Sequence, residues 1–283
     1  MVLEFASHHK YNLIEETAIE TECGALYKGM DLEYGRSVAV KIVRVQGENQ
    51  KQKEANYKKA YSEVKAMVSL ESENLPIPCV LETFFDIKAS NLCIVMQWIN
   101  GENLSYHMNE PELRFLTWIE RLCGILEAME RKHIYHKDIK PSNIMINEKG
   151  ELYLIDFNIS ISTPNLIEGT VNYKAPEMSS NSKYVGREKV DMFSIGVILY
   201  EYYTGCVPIR GKDYAKNRSR GEFAWDKFVE PKEKKQEMNA VVNELIVKCM
   251  KFDPKQRYRN YGDLKHAVGQ SIRSIKNGQR KKT

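Results

Sequence analysis

The residues best suited to chemistry fall in His136-Lys137-Asp138-Ile139-Lys140-Pro141-Ser142-Asn143, where a carboxylate, a cation and an amide lie within six residues of one another. Thirteen residues after Asn143 comes Asp156-Phe157-Asn158, preceded by the apolar run Leu152 to Ile155. Two short strands separated by Glu148-Lys149-Gly150 would form a hairpin and hold Asp138, Asn143 and Asp156 together. Asp156 and Asn143 offer hard oxygen ligands. Mg²⁺ prefers such ligands, keeps several waters and takes phosphate oxygens as well. The pattern suits a metal-bound nucleotide, with Asp138 left to orient a hydroxyl.

Elements on either side must position these groups. Ser37 to Val43 alternates as a strand does, which puts Ala39 and Lys41 on one face. Gln46 to Lys59 is polar and is expected to be a loop running into a helix that becomes amphipathic at Tyr61 to Leu70. Leu92 to Ile99 is a second strand, broken by Asn100-Gly101-Glu102-Asn103. Beyond it, Leu113, Leu116, Ile119, Leu122, Leu126 and Met129 recur at helical spacing. Asp191 to Thr204 is apolar nearly all round and so predicts a buried helix, with Asp191 as a cap and Gly205 as its stop. The outline is α+β: a small strand-rich lobe, a linker and a larger helical lobe. Residues 271–283 form a basic tail that is expected to fray.

Composition removes several alternatives. The chain has 283 residues, 42% hydrophobic and 28% charged, long enough to bury a core without staples. A net charge of +4 is too small a bias to indicate nucleic acid. Six irregularly spaced cysteines without a C-x-x-C pair argue for free thiols rather than zinc or disulfides. Residues 1–10 do not read as a signal peptide, and Met192 to Tyr203 is too short to span a bilayer. A cytoplasmic protein without a membrane span is expected. The histidines at 8, 9, 133 and 136 are scattered rather than ligand-spaced, and Gly205 to Lys212 misses the P-loop spacing.

Over roughly residues 11–270 the sequence resembles the eukaryotic-type (Hanks-type) serine/threonine protein kinases. Val38-Ala39-Val40-Lys41 is similar to that family's V-A-I-K strand, and Asp138, Lys140, Asn143 and Asp156 to its catalytic-loop and metal-binding motifs. Gly169 to Glu177 resembles the substrate-docking segment ending in A-P-E, and Asp253-Pro254-Lys255-Gln256-Arg257 the segment whose arginine pairs with that glutamate. The resemblance implies a bilobal fold with an extension at 1–10, a kinase domain at 11–270 and a tail at 271–283. Within the domain it implies an N-lobe at 11–96, a hinge at 97–103 and a C-lobe at 104–270.

It also implies roles. Asp138 would orient and deprotonate the acceptor, and Lys140 and Lys41 would offset phosphate charge. Glu63, rather than Glu54, would pair with Lys41, and Thr170 would order Asp138 and Lys140. Asn143 and Asp156 would hold Mg²⁺, and Asp191 would brace the catalytic loop. Ile19, Gly24, Leu26, Ala39, Lys41, Met96, Gln97, Ile99, Asn103 and Met145 would surround ATP. The implied activity is ATP- and Mg²⁺-dependent transfer to Ser or Thr of protein substrates, including itself, with a regulatory protein as a further partner. Candidate phosphorylated hydroxyls are Ser160, Ser162, Thr163 and Thr170.

The sequence departs from the family at three places. Aligning Gly24 with the last glycine of the glycine-rich loop leaves Ile19 and Thr21 where the first two belong. Asn158 replaces the glycine after Asp156-Phe157, and Asn tolerates positive φ. Lys137 replaces arginine and loses its planar fork. The first departure motivates a rival reading, a pseudokinase acting as a nucleotide-binding or scaffold module. A small-molecule kinase of the same fold ranks behind it.

Overall fold

The computed structural model describes residues 2–4, 10–21, 24–87, 89–157, 172–178, 188–208 and 229–280. The chain divides into two compact units, Met1–Asn100 with Ile155–Ser162 and Gly101–Leu154 with Thr163–Thr283.

The first unit is built on an antiparallel sheet of β1 (Val2–Glu4), β2 (Lys10–Thr21), β3 (Gly24–Asp31), β4 (Arg36–Arg44), β5 (Val80–Asp86) and β6 (Asn91–Gln97), in the order β1-β2-β3-β4-β6-β5. β4 and β6 are interior strands, so Val38 to Lys41 and Leu92 to Met96 are buried without the alternation of a half-exposed strand. Tyr11, Leu13, Val38, Val40, Cys93 and Val95 form a core on this sheet.

Helix α1 (Gln50–Leu70) is longer than its apolar periodicity predicts. The helix starts at Gln50, early in the stretch expected to run from loop into helix, because Asn49 caps it, its Oδ1 accepting from Gln52 N at 2.9 Å. Lys, Gln, Glu and Ala favour helix without needing a buried face. Burial begins only at Ser62, Glu63 and Val64.

Gly24 has a packing requirement of its own. A Cβ there would overlap the Ile42 carbonyl oxygen on β4. Gly24→Ala is expected to lower stability by about 1–3 kcal/mol through forced separation of β3 and β4. Thermal unfolding checks this, and an unchanged midpoint would mean that the strands part without cost.

In the second unit, β7 (Gly101–Asn103), β8 (Ile144–Asn147) and β9 (Leu152–Leu154) form a small antiparallel sheet, with β8 and β9 the expected hairpin. Helix α2 (Glu112–Arg131) buries Leu116, Ile119, Leu122, Leu126 and Met129, with Leu113 half-buried. Helix α3 (Val190–Thr204) is buried from Val190 to Tyr200. Its N-cap is Lys189, not Asp191, which sits in the first turn. Gly205 ends it at φ 71, in the left-handed region that glycine enters at least cost.

After α3 come α4 (Pro231–Lys234), α5 (Ala240–Cys249) and α6 (Tyr261–Arg280). Residues 271–280, expected to fray, are the last turns of α6, held by buried Ser271, Ile272 and Ile275. Among the described residues, no helix is long and apolar enough to cross a membrane. The five described cysteines are free thiols.

Candidate active site

The site residues fall into two sets, one in each unit. In the first unit Lys41 is at the centre. Its Nζ donates to Glu63 Oε1 and Oε2 at 3.0 and 2.9 Å, and to Asp156 Oδ1 at 3.1 Å. The lysine and glutamate side chains are 8% and 4% exposed, so both charges depend on each other for solvation. Burial pulls the Lys41 pKa down, but Glu63 and then Asp156 outweigh it and the net direction is up. Lys41 therefore stays an ammonium at neutral pH. Glu54 is exposed. Asp156 has φ 66, an uncommon conformation for a residue with a Cβ, and carboxylates tolerate it better than most. Asn158 lies outside the described residues.

Sheet register decides which of the other residues share a face. Ile19 pairs with Leu26, Leu26 with Lys41, and Ala39 with Met96. Paired residues of antiparallel strands point the same way, as do alternate residues along a strand. Ile19, Gly24, Leu26, Ala39, Lys41 and Met96 therefore lie on one face. Gln97 lies opposite Val38 at the end of β6. Ile99 follows β6 and is buried.

In the second unit Asp138 accepts at Oδ2 from Lys140 Nζ at 2.7 Å and from Asn143 Nδ2 at 3.0 Å. Asn143 Nδ2 also reaches the Asp138 carbonyl at 2.9 Å. With its nitrogen so engaged, Asn143 has Oδ1 as its oxygen ligand. Among the described residues no group of three or more His, Cys, Asp or Glu could hold a metal. Asp156 and Asn143 each carry a side-chain oxygen of the hard type that Mg²⁺ takes. Asn103 pairs with Met145 across β7 and β8, and its Oδ1 accepts from Ser105 N at 3.2 Å.

Asp191 braces the loop carrying Asp138. It accepts from His136 N at 2.8 Å and Lys137 N at 2.7 Å, and Lys137 sits at φ 66. Complete burial pushes the Asp191 carboxyl above its ordinary range, against His136 and the two amides, which favour the charge. Glu177 and Arg257 form a bidentate pair at 2.6 and 2.8 Å with side chains 1% and 0% exposed.

Two further contacts were not expected from the sequence. Tyr173 donates to Glu201 Oε2 at 2.6 Å, and Ser194 Oγ to the Tyr173 carbonyl at 2.8 Å, fastening residues 172–178 to α3. The available signal was Glu201, a charge in the C-terminal part of a mostly apolar helix. Ser160, Ser162, Thr163, Thr170 and Cys23 lie outside the described residues.

A family profile described as "Protein kinase domain" matches residues 20–268. The chain is 29% identical over 250 residues to a probable serine/threonine-protein kinase of Clostridium perfringens, covering 84% of this chain and 35% of that protein. It is 27% identical over 284 residues to the probable serine/threonine-protein kinase PknB of Lactococcus lactis, covering 96% and 43%. It is 29% identical over 172 residues to Aurora kinase B-A of Xenopus laevis, covering 58% and 45%. The chain thus spans less than half the length of these relatives. Their names are those of kinases and give the pseudokinase alternative no support.

Proposed function

The chain belongs to the protein kinase domain family, and on that premise we propose that it transfers the γ-phosphoryl group of ATP to Ser or Thr hydroxyls of proteins. The observation that carries this reading is the set of charged and amide groups, Lys41 with Glu63 and Asp156 in one unit and Asp138 with Lys140 and Asn143 in the other. Phosphoryl transfer asks a protein mainly for positioning and charge neutralisation.

In this reading Lys41, held by Glu63, binds the α- and β-phosphates of ATP. The sheet face bearing Ile19, Gly24, Leu26, Ala39 and Met96 receives the nucleotide, with Gln97, Ile99, Asn103 and Met145 as further contacts. Asp138, fixed by Lys140 and Asn143, orients the acceptor hydroxyl and takes its proton. Lys140 offsets charge on the transferring group, and Thr170 orders the pair. Asp156 and Asn143 would hold Mg²⁺, which would supply charge neutralisation for the phosphates. Lysine at 140 favours Ser/Thr over Tyr acceptors. Autophosphorylation, a regulatory protein partner and a cytoplasmic location belong to the same proposal.

Titration with ATP, with and without Mg²⁺, tests binding, because a ligand of the native state raises its melting temperature. A Mg²⁺-dependent rise is expected, and no rise at millimolar ATP would favour the pseudokinase. Glu63→Gln is expected to lower kcat/KM for ATP by about ten- to a hundredfold, because Lys41 loses its buried counter-charge. Glu54→Gln is expected to leave it unchanged. Equal effects in steady-state kinetics would contradict the Lys41–Glu63 assignment.

A further inference from the structure

Cys206 and Lys234 form a pair that phosphoryl transfer does not use. At the end of α3 the Gly205 N–H bonds back to the Glu201 carbonyl at 2.8 Å, and Cys206 follows, half-buried. Lys234 closes α4, and its Nζ lies 3.1 Å from Cys206 Sγ, 28 residues away in sequence. The same ammonium lies 5.5 Å from the Tyr200 ring centroid, and Thr204 Oγ1 lies 3.7 Å from the sulfur. The bond to Cys206 is the main cause of an upward shift in the Lys234 pKa. By the same coupling, a lysine ammonium beside a thiol favours the thiolate, the form that reacts with oxidants.

The other described cysteines differ. Burial pushes Cys93 up to about 11 and Cys249 up to about 12, and drives Cys123 well above its ordinary value. Cys79 is an exposed thiol in the first unit.

We propose that Cys206 is a peroxide-reactive thiol whose sulfenic acid is captured by the Lys234 amine as an intramolecular sulfenamide. In the first step the thiolate attacks a hydroperoxide. A sulfur–oxygen bond forms, the peroxide O–O bond breaks, and the departing hydroxide takes a proton from the Lys234 ammonium to leave as water. Sulfur is oxidised and the peroxide reduced. The same step removes the anion that held the ammonium's proton, so a neutral amine stands beside an electrophilic sulfur.

In the second step the nitrogen lone pair attacks sulfur, the S–O bond breaks, and the hydroxyl leaves with a nitrogen-bound proton as a second water. One thiol, one amine and one hydrogen peroxide give one S–N bond and two waters. Capture of a sulfenic acid by nitrogen is established chemistry for backbone amides, and an amine is the better nucleophile. The product ties the end of α3 to α4, and an added thiol reverses it by exchange at sulfur.

The test is peptide mass spectrometry of the whole chain after exposure to micromolar hydrogen peroxide. The expected product is a Cys206–Lys234 linked peptide pair, about 2 Da lighter than the two reduced peptides together and restored by dithiothreitol. Before the link forms, dimedone is expected to label Cys206 about tenfold faster than Cys79, a comparison made within the wild-type chain. Lys234→Arg keeps the positive charge but has no nucleophilic amine, so Cys206 should accumulate as the dimedone-reactive sulfenic acid without a link. The proposal is overturned if Cys206 labels no faster than Cys79, if the wild type forms no link, or if Lys234→Arg leaves the fate of Cys206 unchanged.

Discussion

Asp138→Asn is expected to lower phosphoryl transfer by about 10²–10⁴-fold, the usual worth of a general base, while ATP binding persists. That corresponds to roughly 3–5.5 kcal/mol of transition-state stabilisation. Asparagine has nearly the same shape, and its side-chain oxygen can still accept from Lys140 and Asn143, which now bond Asp138 Oδ2 at 2.7 and 3.0 Å. What it lacks is a basic oxygen to receive the hydroxyl proton. Lys41, Glu63 and Asp156 belong to the other unit, so the nucleotide-induced thermal shift should survive. Turnover of Mg-ATP with an acceptor protein is the measurement, and full activity in the variant would remove Asp138 from the reaction.

Glu177→Ala is expected to produce a large loss of stability from a single side chain. It leaves the Arg257 guanidinium buried without its carboxylate, and breaking such a pair on one side costs about 3–5 kcal/mol. Arg257 keeps bonds to the carbonyls of Lys189 at 2.9 Å and Lys251 at 2.8 Å, which places the expected cost toward the lower end. For a unit of this size the melting temperature should fall by roughly 6–12 °C. Glu177→Gln keeps the shape and one acceptor and should lose less. An unchanged midpoint for Glu177→Ala in calorimetry would mean that the pair contributes nothing to the fold.

Much of this was legible in the sequence because it rests on local patterns. Leu116 to Met129 could be read as a helix face from period alone, and Ser37 to Val43 as a strand, although Val38 to Lys41 are buried on both faces. Glu148-Lys149-Gly150 announced the β8–β9 turn. Gly205 announced the end of α3 because the left-handed conformation there is one that glycine reaches without strain.

What could not be read is long-range or depends on three dimensions. Nothing in the spacing of Lys41 and Asp156 says that they meet at 3.1 Å, 115 residues apart, or that the segment from Ile155 belongs to the strand-rich unit. The first three turns of α1 lack apolar periodicity because they face solvent, so a pattern search for buried faces passes over them. Asp191 looked like a cap because it begins an apolar run. Its carboxylate serves the His136 and Lys137 amides, more than fifty residues earlier in the chain, a role that only the family resemblance implied. Gly24 looked like a remnant of a phosphate loop, whereas the approach of Ile42 gives it a structural reason to be glycine.

The most direct measurement is incubation of the purified chain with Mg²⁺, γ-labelled ATP and a generic acceptor protein, beside Asp138→Asn. Label on Ser or Thr in the wild type, dependent on Mg²⁺ and lost in the variant, is the expected result. Label that persists undiminished in Asp138→Asn, or a wild type that neither transfers label nor is stabilised by Mg-ATP, would contradict it.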